Sequence, residues 1–204
     1  MTLSVRNLTI SRGGLPLLEN VSFDVPAGEA LILRGPNGVG KTSLLRTLAG
    51  LQDVEAGKID ADPDDLLYAS HADGVKSQLT VVENLAFWAE VYGQTVLDDI
   101  YEQFELTDLK SRLAGTLSAG QKRRLGLARL GVAGRQIWLL DEPTVSLDQV
   151  SVARFASFLQ NKHLAAGGSA LIATHIDLGL DAPTLDLAPY VAKTKPNEQD
   201  EAFL

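Results

Sequence analysis

Between an apolar run, Ala30-Leu31-Ile32-Leu33, and a helical pattern, Ser43-Leu44-Leu45-Arg46-Thr47-Leu48-Ala49, stands the string Gly35-Pro36-Asn37-Gly38-Val39-Gly40-Lys41-Thr42. No other stretch of the chain limits its fold so tightly. It satisfies the pattern G-x-x-x-x-G-K-[ST] at every fixed position, and the flanks predict a buried strand before it and a helix after it. Glycines let the backbone curl and turn its N–H groups inward, and the helix N-terminus adds partial positive charge. A strand, a loop of this kind and a helix predict an α/β fold with a polyphosphate held at the helix N-terminus. Lys41 is then expected to reach the β- and γ-phosphates, and Thr42 to ligate Mg²⁺.

The rest of the chain reads as strand-rich parts around a helical middle. Leu3–Ile10 and Leu18–Val25 alternate about a turn at Arg12-Gly13-Gly14,. Gly57–Asp60 and Leu66–Ala69 add short strands. Helices are expected over Val81–Tyr92, with Val82, Leu85, Ala86 and Ala89 on one face, over Val96–Phe104, and over Ala119–Leu130 capped by Ser118,. Residues from about 80 to 135 therefore read as a helical subdomain within a single domain covering residues 1–204. Gln136–Leu140 returns to a buried strand. Val150–Leu164 follows as an amphipathic helix with Val152, Phe155, Ala156 and Leu159 inward, and Ser169–Thr174 is a further strand. A polar tail from about 193 to 204 is expected to fray.

Composition removes several classes of function. The chain has 204 residues, 45% of them hydrophobic, which suffices for one core,. It has no cysteine, so it holds no disulfide, thiolate metal site or thiol nucleophile,. Met1–Arg6 lacks the pattern of a signal peptide, and no apolar run is long enough to span a bilayer. The net charge of −8 is opposite in sign to that of a general nucleic-acid binder,. Acidic residues such as Asp60, Asp62, Asp64 and Asp65 read as a solvated face, and Lys122, Arg123, Arg124 and Arg129 form a basic cluster,.

Three further signals carry chemistry. Ile137-Trp138-Leu139-Leu140-Asp141-Glu142-Pro143 delivers two carboxylates at the end of a strand, where ligands bind in parallel α/β sheets,. Asp141 is expected to hold Mg²⁺ and Glu142 to take the proton of an attacking water. Ser118 and Gly120, in Leu117-Ser118-Ala119-Gly120-Gln121, offer a hydroxyl and free N–H groups at a helix start,. His175 follows the strand that ends at Thr174.

In this order the pieces resemble the nucleotide-binding subunit of an ABC transporter over nearly the whole chain. The resemblance implies a P-loop NTPase of the ABC ATPase class, with a RecA-like core, an N-terminal antiparallel β-subdomain and a helical subdomain. Gly35 to Thr42, with Ser43, matches the Walker A loop. Leu117 to Gln121 matches the ABC signature, with Ala119 in place of its second glycine. Leu140 to Pro143 matches Walker B and its catalytic glutamate, Ser146-Leu147-Asp148 the D-loop, and His175 the switch histidine. It further implies hydrolysis of Mg-ATP by a head-to-tail homodimer, in which Ser118 and Gly120 of one chain close over the ATP held by the other. Two positions depart from the family pattern. His71 stands where a glutamine is usual and can hydrogen-bond the γ-phosphate or a water beside it. Arg12 lies where an aromatic usually stacks on adenine and can stack through its guanidinium plane.

Within the family, the chain resembles the ATP-binding subunit of the haem exporter of cytochrome c biogenesis, the CcmA family. The features are Arg6-Asn7-Leu8, Arg12-Gly13-Gly14, Gly35 to Gly38, His71 with Gly74-Val75-Lys76, Leu79-Thr80 before Glu83-Asn84-Leu85, and Leu117 to Gln121 with Arg123-Arg124. That implies membrane-spanning partners of the haem-exporter type, no nucleic-acid partner, and a peripheral place on the cytoplasmic face of the bacterial inner membrane. An ABC ATPase for another exported substrate, a lipid or a peptide, and a soluble ABC protein that uses ATP as a switch are the alternatives.

Overall fold

The computed structural model describes residues 2–70, 72 and 74–193. The tail expected from about 193 falls, except for Lys193, outside them, as does His71. Two sheets and a set of helices divide the described chain.

The first sheet is antiparallel. Strands β1 (Leu3–Arg12) and β2 (Leu15–Val25) pair as a hairpin, with Arg12 opposite Leu15. The two residues between them, Gly13 and Gly14, have φ of 61° and 81°. A two-residue hairpin turn that follows the strand twist needs such positive values, and glycine supplies them without a steric penalty. Both strands run beyond the expected limits because this turn is so tight. Strand β3 (Ala30–Arg34) leaves for the second sheet, and β4 (Ala56–Asp60) covers the far edge of β1, giving the order β2-β1-β4.

The second sheet is parallel and buried. It adds β5 (Leu66–Ala69), β6 (Ile137–Asp141), β7 (Ser169–Ala173) and β8 (Thr184–Asp186), in the order β5-β6-β7-β3-β8. Its central strands read as unbroken apolar runs because both faces are covered. Leu31, Leu33, Ile137, Leu139, Leu171 and Ala173 face helix α1 (Lys41–Leu48) and the first sheet. Ala30, Ile32, Trp138, Leu140, Ala170 and Ile172 face the remaining helices. Alternation of side chains along each strand thus divides the interior into two cores.

Those helices are α2 (Val81–Val91), α3 (Asp99–Gln103), α4 (Ala119–Val132) and α5 (Gln149–Phe158). Thr80 and Glu83 form a capping box at the start of α2,. Its inward stripe is Val81, Leu85 and Ala89, with Asn84 beside it, while Val82 and Ala86 face outward. Leu85 and Ala89 of the expected face are therefore inward, and Val81 takes the place expected of Val82. Val81 N–H donates to Arg112 O at 3.0 Å and Val82 N–H to Lys110 O at 3.1 Å, which fixes the first turn against a neighbouring segment. Helix α3 is shorter than the expected 96–104, since β-branched Thr95 and Val96 favour an extended approach,. Helix α5 carries the expected stripe but ends at Phe158, and Leu159–Leu164 continues as a π-helical turn. Among the described residues, no helix is long and apolar enough to cross a membrane.

Candidate functional site

All strands of the second sheet are parallel, so the loops that follow β3, β5, β6 and β7 gather at one edge. That edge holds most of the residues singled out from sequence.

The loop after β3 is shaped by its glycines. Gly35, Gly38 and Gly40 have φ of 138°, 82° and 114°. Val39, between two of them, turns its side chain into the core and leaves only its backbone to the loop. Gly40 is the N-cap of α1 and offers no capping side chain, so the helix presents N–H groups to an anion,. Lys41 is only 8% exposed. Its Nζ donates to Gly35 O at 2.7 Å and Pro36 O at 3.2 Å, so its charge sits inside the curl of the loop.

The opposing wall comes from β6 and β7. Asp141 is buried at the end of β6, and Tyr68 Oη donates to its Oδ2 at 3.4 Å. Burial, and then the Asp141 charge, push the Tyr68 hydroxyl up to about 12. It therefore remains a neutral donor at any working pH. Glu142 has φ of 49°. Such left-handed backbone costs a non-glycine residue about 1–2 kcal/mol, so the surroundings must hold it there. Its N–H donates to Ala173 O at 2.8 Å, continuing the β6–β7 ladder past the end of β6.

His175 joins the two walls. Its Nε2 is 3.2 Å from Lys41 Nζ and 3.6 Å from Glu142 Oε1. That nitrogen can accept from Lys41 only while it carries no proton. It can serve Glu142 as a cation only once it carries one. Arg34, at the end of β3, donates to the carbonyls of Thr174 and, at 3.5 Å, Ile176. These residues flank His175 in the chain, so the loop bearing the imidazole is tied to the strand that leads into the glycine loop.

A cleft of about 230 Å³ runs between the walls. It is lined by Arg12 and Leu17 of the first sheet, by Asn37, Gly38, Gly40, Lys41, Thr42 and Ser43 of the glycine loop and the start of α1, and by Asp141 and Glu142 at the end of β6. Leu17 gave no sequence signal, lying one residue before the expected strand, and enters the cleft because β2 begins at Leu15. Thr42 and Asp141 bring a hydroxyl and a carboxylate, hard oxygen donors suited to Mg²⁺, to the same cleft. A larger hollow of about 270 Å³ among Ile100, Trp138, Phe158 and His163 contains none of these groups.

Ser118 and Gly120 do not line the cleft. Ser118 caps α4, with Gln121 N–H donating to its Oγ at 3.3 Å and its own N–H donating to Gln121 Oε1 at 2.9 Å. Gly120 lies beside Ser146 in the loop after β6. Arg123, read from sequence as part of a basic cluster, is buried and donates to carbonyls of the loops after β5 and β6.

A family model described as ABC transporter matches residues 18–145. The cytochrome c biogenesis ATP-binding export protein CcmA of Ruegeria pomeroyi is 60% identical, and the match covers 100% of both chains. The protein of the same name from Roseobacter denitrificans is 59% identical, again over 100% of each. Among solved structures, a putative ABC transporter ATP-binding protein from Pyrococcus furiosus superposes with a TM-score of 0.84 at 27% identity, covering 94% of this chain and 100% of that one.

Proposed function

Because the chain belongs to the ABC transporter family, among its CcmA cytochrome c biogenesis members, we propose that it is the ATP-hydrolysing subunit of the haem exporter complex that serves c-type cytochrome maturation. It works as a homodimer beneath membrane-spanning ABC subunits, peripheral to the cytoplasmic face of the bacterial inner membrane. The observation that carries the catalytic reading is the meeting of Lys41, Glu142 and His175 at one end of the parallel sheet, with His175 Nε2 within 3.2 Å of the lysine and 3.6 Å of the glutamate.

Each group has a distinct task in that geometry. Backbone N–H groups of the loop from Gly35 to Ser43, Asn37 and Val39 among them, and the uncapped start of α1 cradle the phosphates, while Pro36, which has no N–H, serves by fixing the turn of the loop,. Lys41 exchanges the Gly35 and Pro36 carbonyls for β- and γ-phosphate oxygens. Arg12 and Leu17 give the base a flat cation and an apolar contact in place of an aromatic ring,. Thr42 and Asp141 hold Mg²⁺, which when bound neutralises phosphate charge. Glu142 accepts a proton from the attacking water as its oxygen bonds to the γ-phosphorus and the bond to ADP breaks. Lys41 and His175, with Ser118 and Gly120 of the second chain, stabilise charge on the phosphoryl group in transfer. His71, outside the described residues, is assigned to the γ-phosphate by its place after β5.

The test is covalently bound haem in the c-type cytochromes of a strain lacking this gene, complemented with wild type or Lys41→Ala. Haem lost in the deletion and restored only by wild type is the expected result. Normal haem in the deletion strain would remove the assignment to cytochrome c maturation and leave another exported substrate as the cargo.

A further inference from the structure

Glu142 must be held in a backbone conformation that glutamate does not choose, and one of the groups holding it comes from another element. Arg123 lies in α4 and is 5% exposed. Its Nη2 donates to Glu142 O at 2.8 Å and its Nε to Pro143 O at 2.7 Å. Its Nη1 donates to Ser70 O at 3.2 Å, in the loop after β5. The N–H of Glu142 is bonded to β7 through Ala173 O. Both peptide groups around the Glu142 Cα are therefore clamped, one by a strand and one by this guanidinium. The direction in which the side chain leaves the backbone follows from that clamp. The neighbouring Arg124 pairs instead with Glu105, which also takes Arg154 at 2.9 Å, so it is engaged elsewhere.

We propose that Arg123 is the positioning residue for Glu142. Its fork holds the Glu142–Pro143 backbone in the orientation that aims the carboxylate into the cleft. The same group ties that backbone to the loop after β5 and to the helix that begins at Ser118. A planar guanidinium suits this task because its N–H groups diverge in fixed directions and reach acceptors on separate segments together. A lysine ammonium carries the same charge but cannot span them.

This inference rests on the reading of Glu142 as the base, and the experiment separates the two. Steady-state ATP hydrolysis, affinity for a fluorescent ATP analogue and thermal unfolding are measured on the full chain for wild type, Arg123→Lys, Arg123→Gln, Glu142→Gln and the Arg123→Lys/Glu142→Gln double variant. Misplacing a reacting group costs about ten- to a hundredfold in rate, so Arg123→Lys is expected to lose that much kcat. Its KM and analogue affinity should stay near wild type. In single-turnover assays on the Glu142→Gln background, the same change should cost nothing further, because the group it positions is already gone. The lysine variant keeps charge and the glutamine variant keeps N–H donors, so a folding defect in one leaves the other to decide. Unchanged kcat in both, or an equal fractional loss with and without Glu142, would overturn the inference. Undiminished hydrolysis in Glu142→Gln alone would remove the reading beneath it, whatever Arg123 does.

Discussion

The two walls of the cleft are built on different principles. The lysine wall is made from one continuous stretch, Gly35 to Ser43. Its shape comes from glycine φ values, and its charge rests on carbonyls of the same loop. The carboxylate wall is made from segments far apart in sequence. Glu142 stands on a left-handed backbone between β7 and Arg123, and the His175 loop hangs from Arg34. A local wall binds by what it is. A remote wall works by how it is held, so its failures should appear in rate before affinity.

That contrast can be broken most sharply by one change in each wall. Glu142→Gln should lower turnover at least a hundredfold, the scale on which general bases act, while ATP affinity stays within about twofold. Lys41→Ala should do the opposite to binding and weaken ATP affinity about tenfold or more, as expected for losing a charged hydrogen bond. Nucleotide titration beside phosphate release measures both, and equal losses of affinity in the two variants would erase the distinction. A smaller effect is expected at Arg34. Arg34→Gln releases the Thr174 and Ile176 carbonyls and should reduce kcat about tenfold at unchanged affinity, by the same logic of misplacement,. A matching loss of nucleotide binding would instead place Arg34 with the lysine wall. The smallest change is expected from Tyr68→Phe. The hydroxyl lies 3.4 Å from Asp141 Oδ2. That is long for such a bond, so kcat should move by less than about twofold.

The same division explains what could be read before the structure. Gly35 to Thr42, the carboxylates after Leu140, and His175 after a strand are visible because each is a linear string whose neighbours define its context. The strands of both sheets other than β8 are legible from their apolar runs or alternation. Arg123 was not legible, because its acceptors at Ser70, Glu142 and Pro143 are remote in sequence and nothing in the string sets a buried arginine apart from its more accessible neighbours Lys122 and Arg124. Arg34 was silent for the same reason. Strand β8 has three residues, too few to show a period, and exists only because β3 offers it an edge. The phase of α2 depended on bonds from Val81 and Val82 to Arg112 and Lys110, which local pattern does not contain.

The capping box at Ser118 narrows what can stand at that position. Its oxygen accepts Gln121 N–H, and in the proposed homodimer the hydroxyl would serve an anion on the facing chain through its hydrogen,. In the proposed homodimer one side chain would then answer to two masters: the helix asks it for an acceptor, and the phosphate on the facing chain would ask it for a donor. Aspartate would satisfy the helix and repel the phosphate. Glycine would be a tolerable cap with no hydrogen to give, and alanine would fail on both counts. Side chains that can both accept and donate meet both demands, so the residues open to exchange at 118 reduce to serine, threonine and asparagine.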